Sequence, residues 1–151
     1  METIVSFLEI TDQLGTGGQP TLSQFADLRS AGYEIVINLA MPDAHEALVN
    51  EGALVAQAGM IYVHLAIPWE APTRVHVARF FDLMDLYQQD KVFVHCIKNM
   101  RVAVLVFAYR VCRLGTPISV AKQALLRIWH PHGAWLNLLA NTLADFDLSY
   151  V

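Results

Sequence analysis

Two side chains suited to chemistry on phosphorus stand close together in KVFVHCIKNMRVAVLVFAYR, residues 91–110. Cys96 is a nucleophile when ionised, and Arg101 is a permanent cation with a planar fork of donors. They lie where an apolar strand gives way to an apolar helix. A thiol at a helix N-terminus faces unpaired backbone N–H groups and the positive end of the helix dipole, which favour thiolate over thiol. The same N–H groups form an anion site. An arginine entering that site can hold two phosphate oxygens at once, in a geometry lysine cannot copy. Nucleophile, phosphate cradle and charge clamp therefore coincide, as phosphoryl transfer through a cysteinyl-phosphate requires. Taken alone, a cysteine is more often a small buried hydrophobe. The strand–loop–helix setting and the arginine argue for a chemical role.

The elements that must position this loop are legible in the hydrophobic pattern. IVSFLEI (residues 4–10) reads as a first strand, followed by a Gly-rich turn and a helix within TLSQFADLRSAGY (21–33). Thr21 and Gln24 have capping-box spacing, and Gly32 is placed to close the helix. EIVINLA (34–40) is a second strand, AHEALVNEGALVAQAG (44–59) a second helix and MIYVHLAI (60–67) a third strand. After the loop PWEAP (68–72), the residues Val77, Phe80, Phe81, Met84 and Tyr87 recur at helical spacing. KVFVHC (91–96) is almost continuously apolar, as a central parallel strand covered on both faces should be. Helices are expected from about Arg101 to Arg113, Ser119 to Trp129 and Trp135 to Phe146. The alternation predicts an α/β fold, a three-layer sandwich with a central, mainly parallel sheet. Ligands bind such sheets at the carboxyl ends of the strands. MPDAH, PWEAP and CIKNMR are the loops that open there.

A chain of 151 residues fits one domain, residues 1–151, with a core of ordinary size. A net charge of −4 and the absence of a basic run argue against nucleic acid and anionic membranes as partners. The N-terminus carries an acid where a secretion signal carries bases, and VAVLVFAY is too short to span a bilayer. A cytoplasmic location is expected. With two cysteines, Cys96 and Cys112, the chain needs no disulfide framework. Cys112 lies about 18 Å along the helix from the loop, at 1.5 Å per residue, and cannot pair with Cys96. His130 and His132 flank a proline off any common helical face, so no metal site is expected.

The residues VHC and Arg101 resemble the signature of the cysteine-dependent protein tyrosine and dual-specificity phosphatases. GGQPTLSQFADLRSAGYEIVINL, residues 17–39, is similar to the front half of their small bacterial relatives. The resemblance implies a protein tyrosine phosphatase-like fold, no metal or organic cofactor, and a phosphorylated protein or small phosphate ester as partner. It implies Cys96 as nucleophile, Arg101 as phosphate clamp, the loop residues Ile97, Lys98, Asn99 and Met100 around the phosphate, and His95 as a neighbour that tunes the thiol. It also implies an acid on a loop before the cysteine strand, for which Glu70 in PWEAP is the first choice and Asp43 in MPDAH the second. Gly17, Gly18 and Gln19 are candidates to line the site.

Three departures from the family pattern stand out. Only four residues separate Cys96 from Arg101, one fewer than in the family. Asn99 replaces the usual glycine, and asparagine tolerates positive φ better than most residues. Val102 replaces the hydroxyl residue that assists the departing thiolate. The leading expectation is a phosphoric monoester hydrolase. A phosphatase-fold module that binds phosphate or a phosphorylated partner without turnover is the alternative, and a rhodanese-like sulfurtransferase ranks third. The sequence leaves substrate and oligomeric state open.

Overall fold

The computed structural model describes residues 1 and 3–151. Its centre is a five-stranded sheet in the order β1-β2-β5-β3-β4, from β1 (Leu8–Thr11), β2 (Leu14–Gly17), β3 (Ile35–Asn38), β4 (Ile61–His64) and β5 (Val92–His95). The β1–β2 pair is antiparallel and the other pairings are parallel. The strand that delivers Cys96 is therefore central, as its apolar run predicts.

Side-chain alternation divides the core. On one face, Ile35, Ile37, Val92 and Val94 pack with the helices α3 (Arg74–Leu86), α4 (Met100–Cys112), α5 (Ile118–Ile128) and α6 (Gly133–Ala144). On the other, Val36 and Phe93 meet Phe25 and Leu28 of α1 (Leu22–Ser30) and Val55 of α2 (Glu51–Gln57). The result is the expected three-layer α/β sandwich. Among the described residues, no helix is long and apolar enough to cross a membrane.

The front of the chain departs from the sequence reading in two places. The strand expected over residues 4–10 begins only at Leu8, and residues 3–6 form a turn. The Gly-rich segment expected as a turn is strand β2, paired with β5 along its length. Its glycines disguised it, because glycine is depleted from strands for want of a side chain to pack. Here the missing side chains are what the packing requires. A Cβ at Gly15 would overlap the Tyr33 hydroxyl, and one at Gly17 would lie 3.0 Å from the Phe93 ring.

The helix expected over residues 44–59 is likewise shorter, because residues 41–50 form successive turns and only Glu51–Gln57 is helical. Other boundaries agree within a few residues. Thr21 N–H donates to Gln24 Oε1 at 2.9 Å, as the capping-box spacing predicts. Gly32 and Gly59 close α1 and α2 with φ of +96° and +89°.

Candidate functional site

The carboxyl ends of β2, β5, β3 and β4 share one edge of the sheet, and the chain turns there from β5 into α4. Asn99 makes that turn. It is buried, with φ 68° and ψ 2°, and caps α4 from the left-handed region. The expectation that asparagine stands in for glycine is thus met in the backbone. Its side chain secures the turn by donating to Ser6 O at 2.9 Å and Thr16 Oγ1 at 3.1 Å. The first loop braces the other side, since Gln19 N–H donates to Ile97 O at 3.0 Å. Gly18 runs beside Lys98 in an isolated bridge, and a Cβ on it would collide with the Ile97 carbonyl.

The backbone N–H groups of Ile97, Lys98, Met100 and Arg101 donate to no protein acceptor among the described residues. Helix starts leave such donors free. They border a cavity of about 240 Å³ lined by Trp69, Cys96, Ile97, Lys98, Met100 and Arg101. Cys96 is only 1% exposed and lines this cavity.

Arg101 is held in place from the neighbouring loop. Its Nη1 donates to Ile67 O at 2.9 Å, and its guanidinium lies 5.8 Å from the Trp69 ring centre. Trp69 in turn packs on Trp129 and Trp135, with ring centres 5.5 and 5.7 Å apart. Trp135 Nε1 donates to Trp69 O at 2.8 Å, and Trp129 Nε1 donates to Met100 O at 3.0 Å. The three tryptophans of the protein thereby tie the loop after β4 and the start of α4 to the C-terminal helices.

The sequence-predicted residues fall into three groups. Cys96, Ile97, Lys98, Met100 and Arg101 converge on the cavity. Asn99 and His95 are buried beneath it and shape the loop. Glu70 and Asp43 are solvent-exposed and do not line the cavity, although Glu70 adjoins Trp69, which does. Val102, which follows Arg101 in place of a hydroxyl residue, is fully buried. Among the described residues, no cluster of three or more His, Cys, Asp or Glu side chains is placed to hold a metal ion.

One residue escaped the sequence reading. Glu51, at the start of α2, is 4% exposed, and its Oε2 lies 2.6 Å from Nε2 of the fully buried His95. His95 Nδ1 lies 2.9 Å from Cys96 O. Both ring nitrogens thus face oxygen atoms, those of the Glu51 carboxyl group and the Cys96 carbonyl. Gln19 Nε2 donates to Glu51 Oε1 at 2.7 Å. Burial, together with the Glu51 carboxylate and against a hydrogen bond from Asn38, pushes the Tyr62 phenol up to about 12. Tyr62 is therefore a neutral hydroxyl beside Glu51 at physiological pH. The GGQP segment signalled this cluster only through Gln19. Glu51 lay within an expected long helix, with nothing in its spacing to mark it.

The fold and the loop define a protein tyrosine phosphatase-like chain. It belongs to the family described as DSP-PTPase phosphatase fused to NAD+ kinase, whose model matches residues 8–128. A phosphatase candidate of the DUF442 group from Shewanella putrefaciens CN-32 is 31% identical, with a TM-score of 0.88 over 96% of this chain and 95% of its own. PTPMT1, solved with PI(5)P, is 18% identical, with a TM-score of 0.78 over 94% of this chain and 97% of its own. TpbA of P. aeruginosa, solved with phosphotyrosine, is 16% identical, with a TM-score of 0.66 over 87% of this chain and 75% of its own. For the last two the likeness is one of fold. No curated protein matches the chain.

Proposed function

We propose that the chain is a cysteine-dependent phosphoric monoester hydrolase that works through a cysteinyl-phosphate. The observation that carries this reading is the convergence of Cys96, Arg101 and the loop residues whose N–H groups are unpartnered on one cavity. Arg101 and the N–H groups of Ile97, Lys98, Met100 and Arg101 hold the non-bridging oxygens, and Cys96 Sγ attacks phosphorus. The ester P–O bond breaks as the S–P bond forms, and the departing oxygen takes a proton from Glu70. Water then attacks the phosphocysteine and passes a proton to the Glu70 carboxylate, releasing phosphate and the thiolate.

Glu70 is assigned to this role because its loop is already fixed over Arg101 by Trp69 and the Ile67 carbonyl. Asp43, on the turns that follow β3, remains the second choice. Glu51 and His95 act as positioning residues, since His95 touches the carbonyl of the nucleophile and Glu51 holds His95.

Val102 supports a second reading, a module that binds phosphate without fast turnover, because no hydroxyl receives the departing thiolate. The two readings differ in the fate of the intermediate. Rapid quenching in acid after mixing with an aryl phosphate, followed by mass analysis of the peptide carrying Cys96, tests this. Phosphate recovered on Cys96 together with steady turnover is expected. A chain that binds phosphate but acquires none on Cys96 fits the binding module instead.

A further inference from the structure

Three main-chain contacts pin the chain immediately before Glu70. Ile67 N–H donates to Leu39 O at 3.1 Å, Ile67 O accepts from Arg101 Nη1 at 2.9 Å, and Trp69 O accepts from Trp135 Nε1 at 2.8 Å. Between them, the ring of Pro68 fixes its own φ. The contact from Trp135 bears most directly on Glu70, because the Trp69 carbonyl and the Glu70 nitrogen belong to one planar peptide unit. Holding that oxygen sets the orientation of the plane from which Glu70 departs. Beyond it Glu70 is solvent-exposed, and no ion pair holds its carboxylate among the described residues.

We propose that Trp135 is a positioning residue for the protonation step, its indole N–H holding the peptide ahead of Glu70 so that the carboxyl is presented to the leaving oxygen. The inference rests on the phosphatase reading and on Glu70 as its acid. Two features make Trp135 suited to the task. First, its own place is fixed. Trp135 is 1% exposed, and Leu138, Leu139 and Leu143 seat the rest of α6 in the core. A group set on a packed helix positions its partner more accurately than one on a loop. Second, the same aromatic cluster reaches the phosphate end. The Trp69 ring packs on both Trp135 and Trp129, and Trp129 Nε1 donates to Met100 O in the first turn of α4. The acid loop and the phosphate loop are thereby referenced to each other through the C-terminal helices. Such a reference matters to rate, since a misplacement of about 1 Å can cost roughly a hundredfold.

Trp135→Phe keeps an aromatic ring and removes the N–H. A general acid matters most when the departing oxygen is basic, so the test compares phenyl phosphate with 4-nitrophenyl phosphate, whose nitrophenolate leaves readily without a proton. The quantity read is kcat/KM, which reports the steps up to formation of the cysteinyl-phosphate. Trp135→Phe should lower it about tenfold or more for phenyl phosphate, change it little for 4-nitrophenyl phosphate and leave phosphate affinity as it is. In a Glu70→Gln background the same substitution should have no further effect on either ester. Equal losses on the two esters would overturn the proposal by marking Trp135 as a general support. So would a loss that persists without the Glu70 carboxyl, or no loss at all. Should Trp135→Phe not fold, an unnatural amino acid that carries benzothiophene in place of indole at position 135 removes only the N–H, and the same outcomes decide. Phenyl phosphate turnover undiminished in Glu70→Gln alone would end the assignment of Glu70, and the inference with it. A parent chain that hydrolyses neither ester is the separate result that overturns the phosphatase reading and everything resting on it.

Discussion

At the scale of the residue, the candidate site rests on a short chain of contacts: Glu51 holds His95, and His95 touches the carbonyl of Cys96. Removing the carboxylate altogether, as in Glu51→Leu, strands a buried imidazole and should cost about 3–5 kcal/mol of stability. Glu51→Gln keeps an acceptor in place and separates function from folding. Turnover should fall at least about tenfold, equivalent to 1.4 kcal/mol in the barrier, while phosphate binding changes less. Equal losses in kcat and in phosphate affinity would instead mark Glu51 as a structural support. Arg101→Lys should weaken phosphate binding roughly ten- to hundredfold, because a single ammonium cannot replace the bidentate fork. Isothermal titration with phosphate measures it, and unchanged affinity would remove Arg101 from the cradle. Mild peroxide should abolish activity, since a reactive thiolate is readily oxidised, and thiol reductant should restore it while oxidation stops at the sulfenic acid.

The turn between β5 and α4 is the element on which the site depends, and Asn99 is its strained position. Asn99→Ala should cost about 1–2 kcal/mol for the left-handed backbone, plus the hydrogen bonds to Ser6 and Thr16. Asn99→Gly should spare the backbone cost and lose only the hydrogen bonds. Denaturant midpoints of the two variants measure the difference, and equal midpoints would show that the turn stores no such preference. How far the elements were legible depended on whether local pattern and tertiary demand agreed. The central strand and α4 were readable because burial on all sides wrote an unbroken apolar run into residues 92–94 and 102–108. The loop was readable because its chemistry is concentrated between Cys96 and Arg101. Strand β2 was not, because Tyr33 and Phe93 forced glycines into it and erased its propensity. Glu51 was not, because its role comes from a contact with His95, 44 positions away.

Over the whole molecule, buried phenols tie stability to alkaline pH. Tyr33, Tyr62 and Tyr109 are all pushed up to about 12, in each case chiefly by burial, with Glu9, Glu51 and Asp85 adding to it in turn. The folded chain therefore keeps its phenolic protons at pH values where the unfolded chain releases them. The stability this confers is fully present below the unfolded value of about 10 and should be lost as pH rises from about 10 towards 12. Urea midpoints measured across that range should decline steadily, whereas a flat profile would show the phenols to be freely solvated. The same packing sets the site. The tryptophan cluster joins the C-terminal helices to the loop carrying Glu70, and the sheet edge brings β2, β3 and β5 to the thiol. The central claim is that this edge hydrolyses phosphate esters through Cys96. The most direct test is hydrolysis of an aryl phosphate by the parent and by Cys96→Ser, with phosphate binding measured on both. Turnover by the parent alone, with phosphate bound by both, is the predicted result. Equal turnover by the two, or none by either, would contradict it.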